Sequence, residues 1–80
     1  MPKLPAIEGS ELVKFLKWLG FKVIRRRGSH IRLAADDGRI TTVPVHKGKT
    51  LPKGLLRTII REDMELELQE FLKLYKKFKG

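Results

Sequence analysis

The chain has 80 residues, of which 18 are Lys or Arg and 9 are Asp or Glu, giving a formal net charge of +9. This length fits one domain spanning residues 1–80 with a small core, and the absence of cysteine excludes disulfides and thiolate metal sites. No apolar run approaches the roughly 20 residues that span a bilayer and no signal peptide is apparent, so we expect a cytoplasmic protein.

The positive charge is concentrated in the middle of the chain. Residues 22–61 hold eleven Lys or Arg against two Asp, whereas residues 1–21 carry a net +1 and residues 62–80 a net −1. Such a local basic field indicates nucleic acid as the partner, with an anionic membrane or an acidic protein as alternatives. Because this charge falls mainly on predicted strands and loops rather than on an amphipathic helix, the membrane alternative is disfavoured.

A first helix is predicted over residues 10–19, after an irregular lead-in at Met1–Glu8. Ser10 is the expected N-cap and Gly20 the expected glycine just past the C-terminus. One apolar stripe has helical spacing, formed by Leu12, Phe15, Leu16 and Leu19. Trp18 lies off this stripe, so it either extends the edge of the stripe or is exposed, where it could stack on a nucleobase.

Three strands are predicted next, over residues 21–27, 30–35 and 39–43. Gly28-Ser29 forms the first turn, and Asp36-Asp37-Gly38 forms the second, which explains both aspartates without a metal site. A three-residue second turn with a left-handed Gly38 pairs Ala35 with Arg39 and places Ile31, Leu33 and Val43 on one core face. His30, Arg32 and Ala34 then point away from the core.

The remainder is predicted as a loop at residues 44–50, a helix at 52–62 and a C-terminal helix at 66–78. The expected buried faces are Leu55, Leu56, Ile59 and Ile60 in the second helix, and Leu68, Phe71, Leu72, Tyr75 and Phe78 in the last. Short links between consecutive strands imply an antiparallel sheet. The predicted fold is therefore α+β, with an α-β-β-β-α order, helices on one face of a three-stranded antiparallel sheet, a core at about 10–62 and an additional C-terminal helix.

Five short motifs follow one another in a spacing that is hard to reconcile with chance. They are Gly20-Phe21, Gly28-Ser29-His30, Asp37-Gly38, residues 43–49 (Val-Pro-Val-His-Lys-Gly-Lys) and residues 51–57 (Leu-Pro-Lys-Gly-Leu-Leu-Arg). Across about residues 10–71 the chain resembles HicA-type toxins of the YcfA-like family. The resemblance implies a fold like that of double-stranded-RNA-binding domains (dsRBD-like), mRNA cleavage as an mRNA interferase, a catalytic histidine in Gly-Ser-His, and neutralisation by a HicB-type antitoxin.

The chain departs from that family near its C-terminus. Relatives commonly carry a glycine between the second helix and the C-terminal segment, where residues 62–66 here read Glu-Asp-Met-Glu-Leu. The last helix is also long and basic at its end. These departures concern the placement of that helix and the docking of a partner.

The candidate site combines a proton carrier with phosphate-binding cations. His30 is the expected general base or acid, because an unperturbed imidazole titrates near neutrality. Expected RNA contacts are Arg25, Arg26, Arg27, Gly28, Ser29, His46, Lys47, Lys49, Lys53 and Arg57. Since a strand alternates its faces, either Arg26 alone or Arg25 with Arg27 meets the phosphate. His46 is a general acid, a phosphate contact or a structural loop residue.

The sequence therefore predicts a metal-independent endoribonuclease without a cofactor, acting on mRNA as the toxin of a type II toxin-antitoxin system. A non-catalytic RNA-binding module that uses the same basic face is the alternative from another functional class. A third interpretation is a basic protein whose charge serves an acidic partner.

Overall fold

The computed structural model, which describes residues 3–80, has the predicted order of helices and strands. The elements are α1 (Gly9–Trp18), β1 (Lys22–Arg27), β2 (His30–Ala34), β3 (Ile40–Pro44), α2 (Lys53–Thr58), a π-helical segment (Ile59–Asp63) and α3 (Leu68–Lys79). The strands form an antiparallel sheet in the order β1-β2-β3, which confirms the α+β prediction. Met1 and Pro2 of the predicted lead-in lie outside the described residues.

Helix α1 begins one residue earlier than predicted, and Ser10 is not its cap. Glu8 is the N-cap residue, with extended backbone and no side-chain hydrogen bond to the helix, while Ser10 lies inside the first turn. Gly9 fits here because it packs against the backbone of β3, where an added Cβ would lie 2.2 Å from the Pro44 carbonyl oxygen. The helix start is therefore fixed by a close approach to the sheet rather than by capping.

The C-terminus of α1 follows the prediction. Gly20 has φ +108°, which favours glycine. Its N–H donates to the Lys17 carbonyl, and the Phe21 N–H donates to the Leu16 carbonyl. This pair of bonds is a Schellman motif, which ends the helix and turns the chain into β1.

The register between β2 and β3 is the predicted one. The Ala35 N–H donates to the Arg39 carbonyl at 2.9 Å, and Gly38 has φ +97°, so the connection is a three-residue loop. Ile31 pairs with Val43 on the core face. These two residues and Leu33 are buried, as expected from the apolar pattern.

Strand β1 contains a bulge that the sequence pattern did not predict. Val23 pairs with Leu33, but Arg25 pairs with Arg32, so Ile24 is an extra residue without a partner. Ile24 is 55% exposed. Because one inserted residue reverses the alternation that follows, Arg25 no longer shares the face of Val23.

The hydrophobic core also includes residues on either side of 10–62, among them Phe71 on the predicted buried face of the last helix. Leu4 and Ile7 of the N-terminal segment are 3% and 1% exposed, and Phe71 of α3 is fully buried. The segment is held by a hydrogen bond from the Leu51 N–H to the Ile7 carbonyl at 2.7 Å. The lead-in is irregular, as predicted, but it closes one end of the core.

The second helix differs most from the prediction. After α2, the Met64 N–H donates to the Ile59 carbonyl, a wider turn than that of an α-helix. Leu56, Ile59 and Ile60 are buried, but Leu55 is 36% exposed, because it lies at the edge of the stripe that these three define. Glu65, which follows this turn, is the one non-glycine among residues 3–80 with positive φ, at 57°.

Arg39 connects the β2–β3 loop to the end of the π-helical segment. Its Nη1 donates to the Met64 carbonyl at 2.7 Å, and its guanidinium lies 5.1 Å from the Phe21 ring centre. Its Nε also donates to the Asp37 carboxylate at 2.8 Å, and these bonds lower the pKa of Asp37. Arg39 is therefore a structural cation rather than a free one.

Helix α3 begins at Leu68 rather than near residue 66 and packs on α1 through aromatic rings. Phe15 lies 5.3 Å from both Phe71 and Tyr75, measured between ring centres. Lys79 forms an ion pair with Glu11 at the far end. Among residues 3–80, no helix combines the length and apolar character needed to cross a membrane.

Candidate active site

The sheet face that points away from the core carries the candidate site. Directly opposed residues share a face, so the strand pairing defines three rows across the sheet. The rows are Lys22–Ala34–Ile40, then Arg25–Arg32–Thr42, then Arg27–His30–Pro44. Successive rows are about 7 Å apart, two residues along each strand. Two of the three rows therefore carry guanidinium groups, and these are the two cationic rows of this face.

Five exposed side chains from the two cationic rows line one cavity of about 190 Å³: Arg25, Arg27, His30, Arg32 and Thr42. Three guanidinium groups thus surround an imidazole and a hydroxyl, and none of the lining residues is acidic. Guanidinium groups match the geometry of phosphate oxygens. The cavity can hold a phosphate with a proton carrier beside it.

The Gly28-Ser29 turn places His30 opposite Arg27. Gly28 has φ +57° and Ser29 does not have positive φ, the pattern of a type II′ hairpin turn with glycine first. The Ser29 carbonyl accepts a hydrogen bond from the Val45 N–H at 2.7 Å, which continues the β2–β3 pairing past His30. His30 is therefore fixed by backbone pairing to both neighbouring strands.

The bulge at Ile24 decides which arginines accompany His30. Arg27 lies directly opposite His30, and Arg25 lies in the neighbouring row of the same face, opposite Arg32. Arg26 pairs with Ile31 and therefore belongs to the other face, where it is exposed at the edge of the sheet. Of the two arrangements that the sequence left open, the structure has Arg25 with Arg27. If Ile24 were paired in strict alternation instead of being bulged, Arg26 alone would share the His30 face.

The loop of His46, Lys47 and Lys49 starts beside the hairpin turn but does not line the cavity. The Lys49 N–H donates to the His46 carbonyl at 3.0 Å, and Gly48 has φ +76°, as in a type II turn. The side chains of all three are exposed. They lie outside the cavity, in the loop that follows the backbone contact between Val45 and Ser29.

Lys53 and Arg57, the two remaining predicted RNA contacts, do not line the His30 cavity. The Lys53 Nζ donates to the Leu4 carbonyl at 3.0 Å, so this cation helps to hold the N-terminal segment. Arg57 lines a separate depression of about 290 Å³, together with Gly54, Thr58, Arg61 and Glu62. The structure does not bring these two predicted RNA contacts to His30.

Arg32 and Thr42 are the cavity residues that sequence reasoning missed as site residues. Arg32 could have been found from the sequence, because residues two apart on one strand share a face and Arg32 follows His30 by two residues. Placing Thr42 on the same face required the β2–β3 register. Within residues 3–80, His30 makes no side-chain hydrogen bond and no three potential ligands are close enough to share a metal ion.

Comparison with known proteins matches most of the chain to one family. A family model described as "HicA toxin of bacterial toxin-antitoxin" matches residues 9–63. The match runs from the start of α1 to the end of the π-helical segment and includes all five cavity residues, while α3 lies beyond it. A search of curated protein sequences finds no match.

Proposed function

Because the chain belongs to the HicA toxin family of bacterial toxin-antitoxin systems, we propose that it cleaves mRNA as a metal-independent endoribonuclease at the cavity around His30. The observation that carries this proposal is the grouping of His30 with Arg25, Arg27 and Arg32 on an exposed sheet face. A base and phosphate-binding cations within one cavity are what transesterification of RNA needs.

The reaction follows from these groups. His30 accepts the proton of a 2′-hydroxyl, and the 2′-oxygen attacks the adjacent phosphorus. The bond from phosphorus to the 5′-oxygen breaks, leaving a 2′,3′-cyclic phosphate and a 5′-oxygen that takes a proton. The guanidinium groups stabilise the negative charge that builds on the phosphorane oxygens. Thr42 can donate a hydrogen bond to a non-bridging oxygen.

The leaving 5′-oxygen needs a proton donor, and His46 is the second histidine of the chain. It lies outside the cavity but in a loop that starts next to the Gly28-Ser29 turn. In this proposal Lys47 and Lys49 hold the flanking phosphates, and His46 or water protonates the leaving group.

A non-catalytic RNA-binding module is the second candidate. The observation that favours it is that no other residue among 3–80 hydrogen-bonds to the His30 ring, whereas a catalytic base is commonly oriented by a third group. RNA bound without cleavage would distinguish this candidate from the first.

The test compares wild type, His30→Ala and His46→Ala on 5′-labelled RNA in excess EDTA. We expect wild type to cut and to leave 2′,3′-cyclic ends. His30→Ala should cut about 10²–10⁴-fold more slowly, the usual contribution of general base catalysis. Its melting temperature should hardly change, because substitution of an exposed residue shifts stability by about 0.5 kcal/mol or less.

Three results would argue against the proposal. Loss of cleavage in EDTA would indicate a metal requirement. Normal cleavage by His30→Ala would make His46 the next candidate for the base. Tight binding of uncut RNA by wild type would favour the non-catalytic module.

The partner that the family implies is an antitoxin, and we propose that it is of the HicB type and covers the His30 cavity. A cationic face on a chain of net charge +9 should attract an acidic surface rapidly by electrostatic steering. One patch would then serve both binding and inhibition.

A further inference from the structure

The only tryptophan of the chain is held as a half-exposed ring on the helical side of the molecule. Trp18 is 50% exposed, although it stacks on the buried Phe15 with ring centres 5.9 Å apart and planes 20° from parallel. Phe78 of α3 lies 5.7 Å away on a tilted plane. Since α1 packs on the core face of the sheet, Trp18 is across the sheet from His30. The indole is fixed by its neighbours, with half of its surface open to solvent.

Both helices that carry this aromatic cluster have exposed lysines. Lys14 precedes Trp18 by four residues and so neighbours it on α1. Glu70 is the only exposed carboxylate within α1 and α3. The two ion pairs among residues 3–80 join other residues. The exposed lysines of the two helices, all outside those pairs, are Lys14, Lys17, Lys73, Lys76 and Lys77.

We propose that this surface, defined by Trp18 and Phe78 with Lys14, Lys17 and Lys77, binds a single-stranded segment of RNA that lies outside the cleavage cavity. One base stacks on the open face of the indole, and the lysines contact neighbouring phosphates. Aromatic stacking platforms combined with cations that contact the backbone hold single strands without sequence preference. The proposal rests on RNA being the ligand of the proposed function and adds a second contact to it.

Other occupants fit this surface less well. A second copy of the chain would bring another +9 charge toward the same lysines. A stable protein interface buries about 1,000 Å² or more around apolar anchors, whereas the exposed apolar element here is one indole among cations. RNA satisfies both the ring and the lysines. Phe78 and Lys77 of α3 lie beyond the family match, so the match alone does not account for the complete surface.

Binding at Trp18 can be followed by intrinsic tryptophan fluorescence, because Trp18 is the only tryptophan of the chain. A uridine 12-mer is titrated into His30→Ala protein, which prevents cleavage. Stacking should quench the fluorescence in a saturable manner. Lys14→Gln should weaken the binding and flatten its dependence on log salt by about 0.7, one single-strand phosphate contact. Lys3→Gln, with the same change of charge at an exposed position outside the surface, should do neither.

A second measurement removes the ring. Labelled uridine 12-mer is titrated by anisotropy into His30→Ala and His30→Ala/Trp18→Leu, with folding checked by circular dichroism. Loss of one stacked base should weaken affinity about fivefold or more. Unchanged fluorescence with the 12-mer, or equal affinity of the two variants, would overturn the proposal. Quenching by polyglutamate and not by RNA would overturn it in favour of an acidic protein.

The two proposals fail differently. Cleavage by wild type without any response of Trp18 would refute the second surface and leave the proposed function standing. Quenching of Trp18 by RNA in a wild-type protein that cuts no RNA would refute the endoribonuclease and leave the second surface standing.

Discussion

Gly9 and Gly54 both lie in helices, but Gly9 is tightly packed against another element whereas Gly54 has open space around its Cα atom. A Cβ at Gly9 would meet the Pro44 carbonyl oxygen at 2.2 Å, whereas a Cβ at Gly54 would meet nothing within 4 Å. Gly9→Ala should therefore destabilise the protein by about 1–3 kcal/mol, the usual cost of overpacking. Gly54→Ala should stabilise it by about 0.5–1 kcal/mol, because alanine loses less entropy on folding.

Urea unfolding of Gly9→Ala and Gly54→Ala measures the change in the free energy of unfolding for each variant, which should be negative for the first and positive for the second. Equal effects at Gly9 and Gly54 would mean that the helix start does not approach β3 as closely as the structure has it.

Glu65 adopts a backbone conformation that suits glycine better. Its φ of 57° is left-handed, which costs an L-residue roughly 1–2 kcal/mol. Glu65→Gly should raise the free energy of unfolding by about 1 kcal/mol, after allowance for the greater chain entropy of glycine. Glu62→Gly is the matched control and should lower it by a similar amount, since Glu62 lies in the π-helical segment. Destabilisation by both would show that φ at position 65 is not strained.

At the scale of elements, the β2–β3 hairpin could be predicted from sequence and the course of β1 could not. The turn Asp36-Asp37-Gly38 and the apolar alternation of Ile31, Leu33 and Val43 together allow one register. The bulge at Ile24 has no local signal, because an exposed isoleucine in a strand looks like any other strand residue. The sequence therefore made His30 and the neighbouring arginines candidates, but it could not show which arginines share the face of His30.

The π-helical turn after α2 escaped prediction for the same reason. It depends on packing of Ile59 and Ile60 and on contacts such as the Thr41 hydroxyl donating to the Asp63 carboxylate at 2.8 Å. Those contacts join residues far apart in the chain. Leu55 was consequently assigned to the core when it lies at its edge.

The docking of α3 on α1 should depend on pH through Glu11 and Lys79. Their hydrogen bond lowers the pKa of Glu11 and raises that of Lys79. A lowered acid pKa adds stability above the ordinary value of 4.5, which is lost as the pH falls through the folded pKa. A raised lysine pKa adds stability that is fully present below the ordinary value of 10.5 and is lost as the pH rises through the folded pKa.

The measurement is the melting temperature of wild type, Lys79→Gln and Lys76→Gln across pH. The melting temperature of Lys79→Gln should lie below that of wild type between pH 4.5 and pH 10.5. This difference in melting temperature should become smaller at more acidic and at more alkaline pH. Lys76→Gln loses the same charge from α3 without an ion pair, so its curve should run parallel to wild type. A deficit of Lys79→Gln that is constant with pH would show that the pair contributes no charge-dependent stability.

At the scale of the whole molecule, packing and the candidate chemistry lie on opposite faces of one sheet. The core face holds Leu33 and Val43, both 0% exposed, and the other face holds the His30 cavity. An inhibitor can therefore cover the cavity without disturbing the core. Most core residues followed the apolar pattern in the sequence, while the grouping of the cavity residues required the three-dimensional register.

This arrangement predicts how an antitoxin acts. Co-expression with the adjacent open reading frame, followed by pull-down, should give a complex in which RNA cleavage is lost. Arg27→Glu should weaken that complex by placing a like charge against an acidic partner, whereas Lys73→Glu on α3 should not. If Lys73→Glu alone breaks the complex, or if the complex degrades RNA at the rate of the free protein, occlusion of His30 is not the mode of control.

The extra residue at Ile24 makes the chemistry of this sheet sensitive to a one-codon change. Deleting Arg26 would let Ile24 pair with Arg32 in strict alternation, so that Ile24 would take the place of Arg25 on the His30 face and one arginine, Arg27, would remain opposite His30. The topology, the hairpin turns and nearly all core residues would stay the same. Loss of a single codon would thus remove one of the three guanidinium groups from the cavity in one mutational step, while leaving a folded chain that an antitoxin would still encounter.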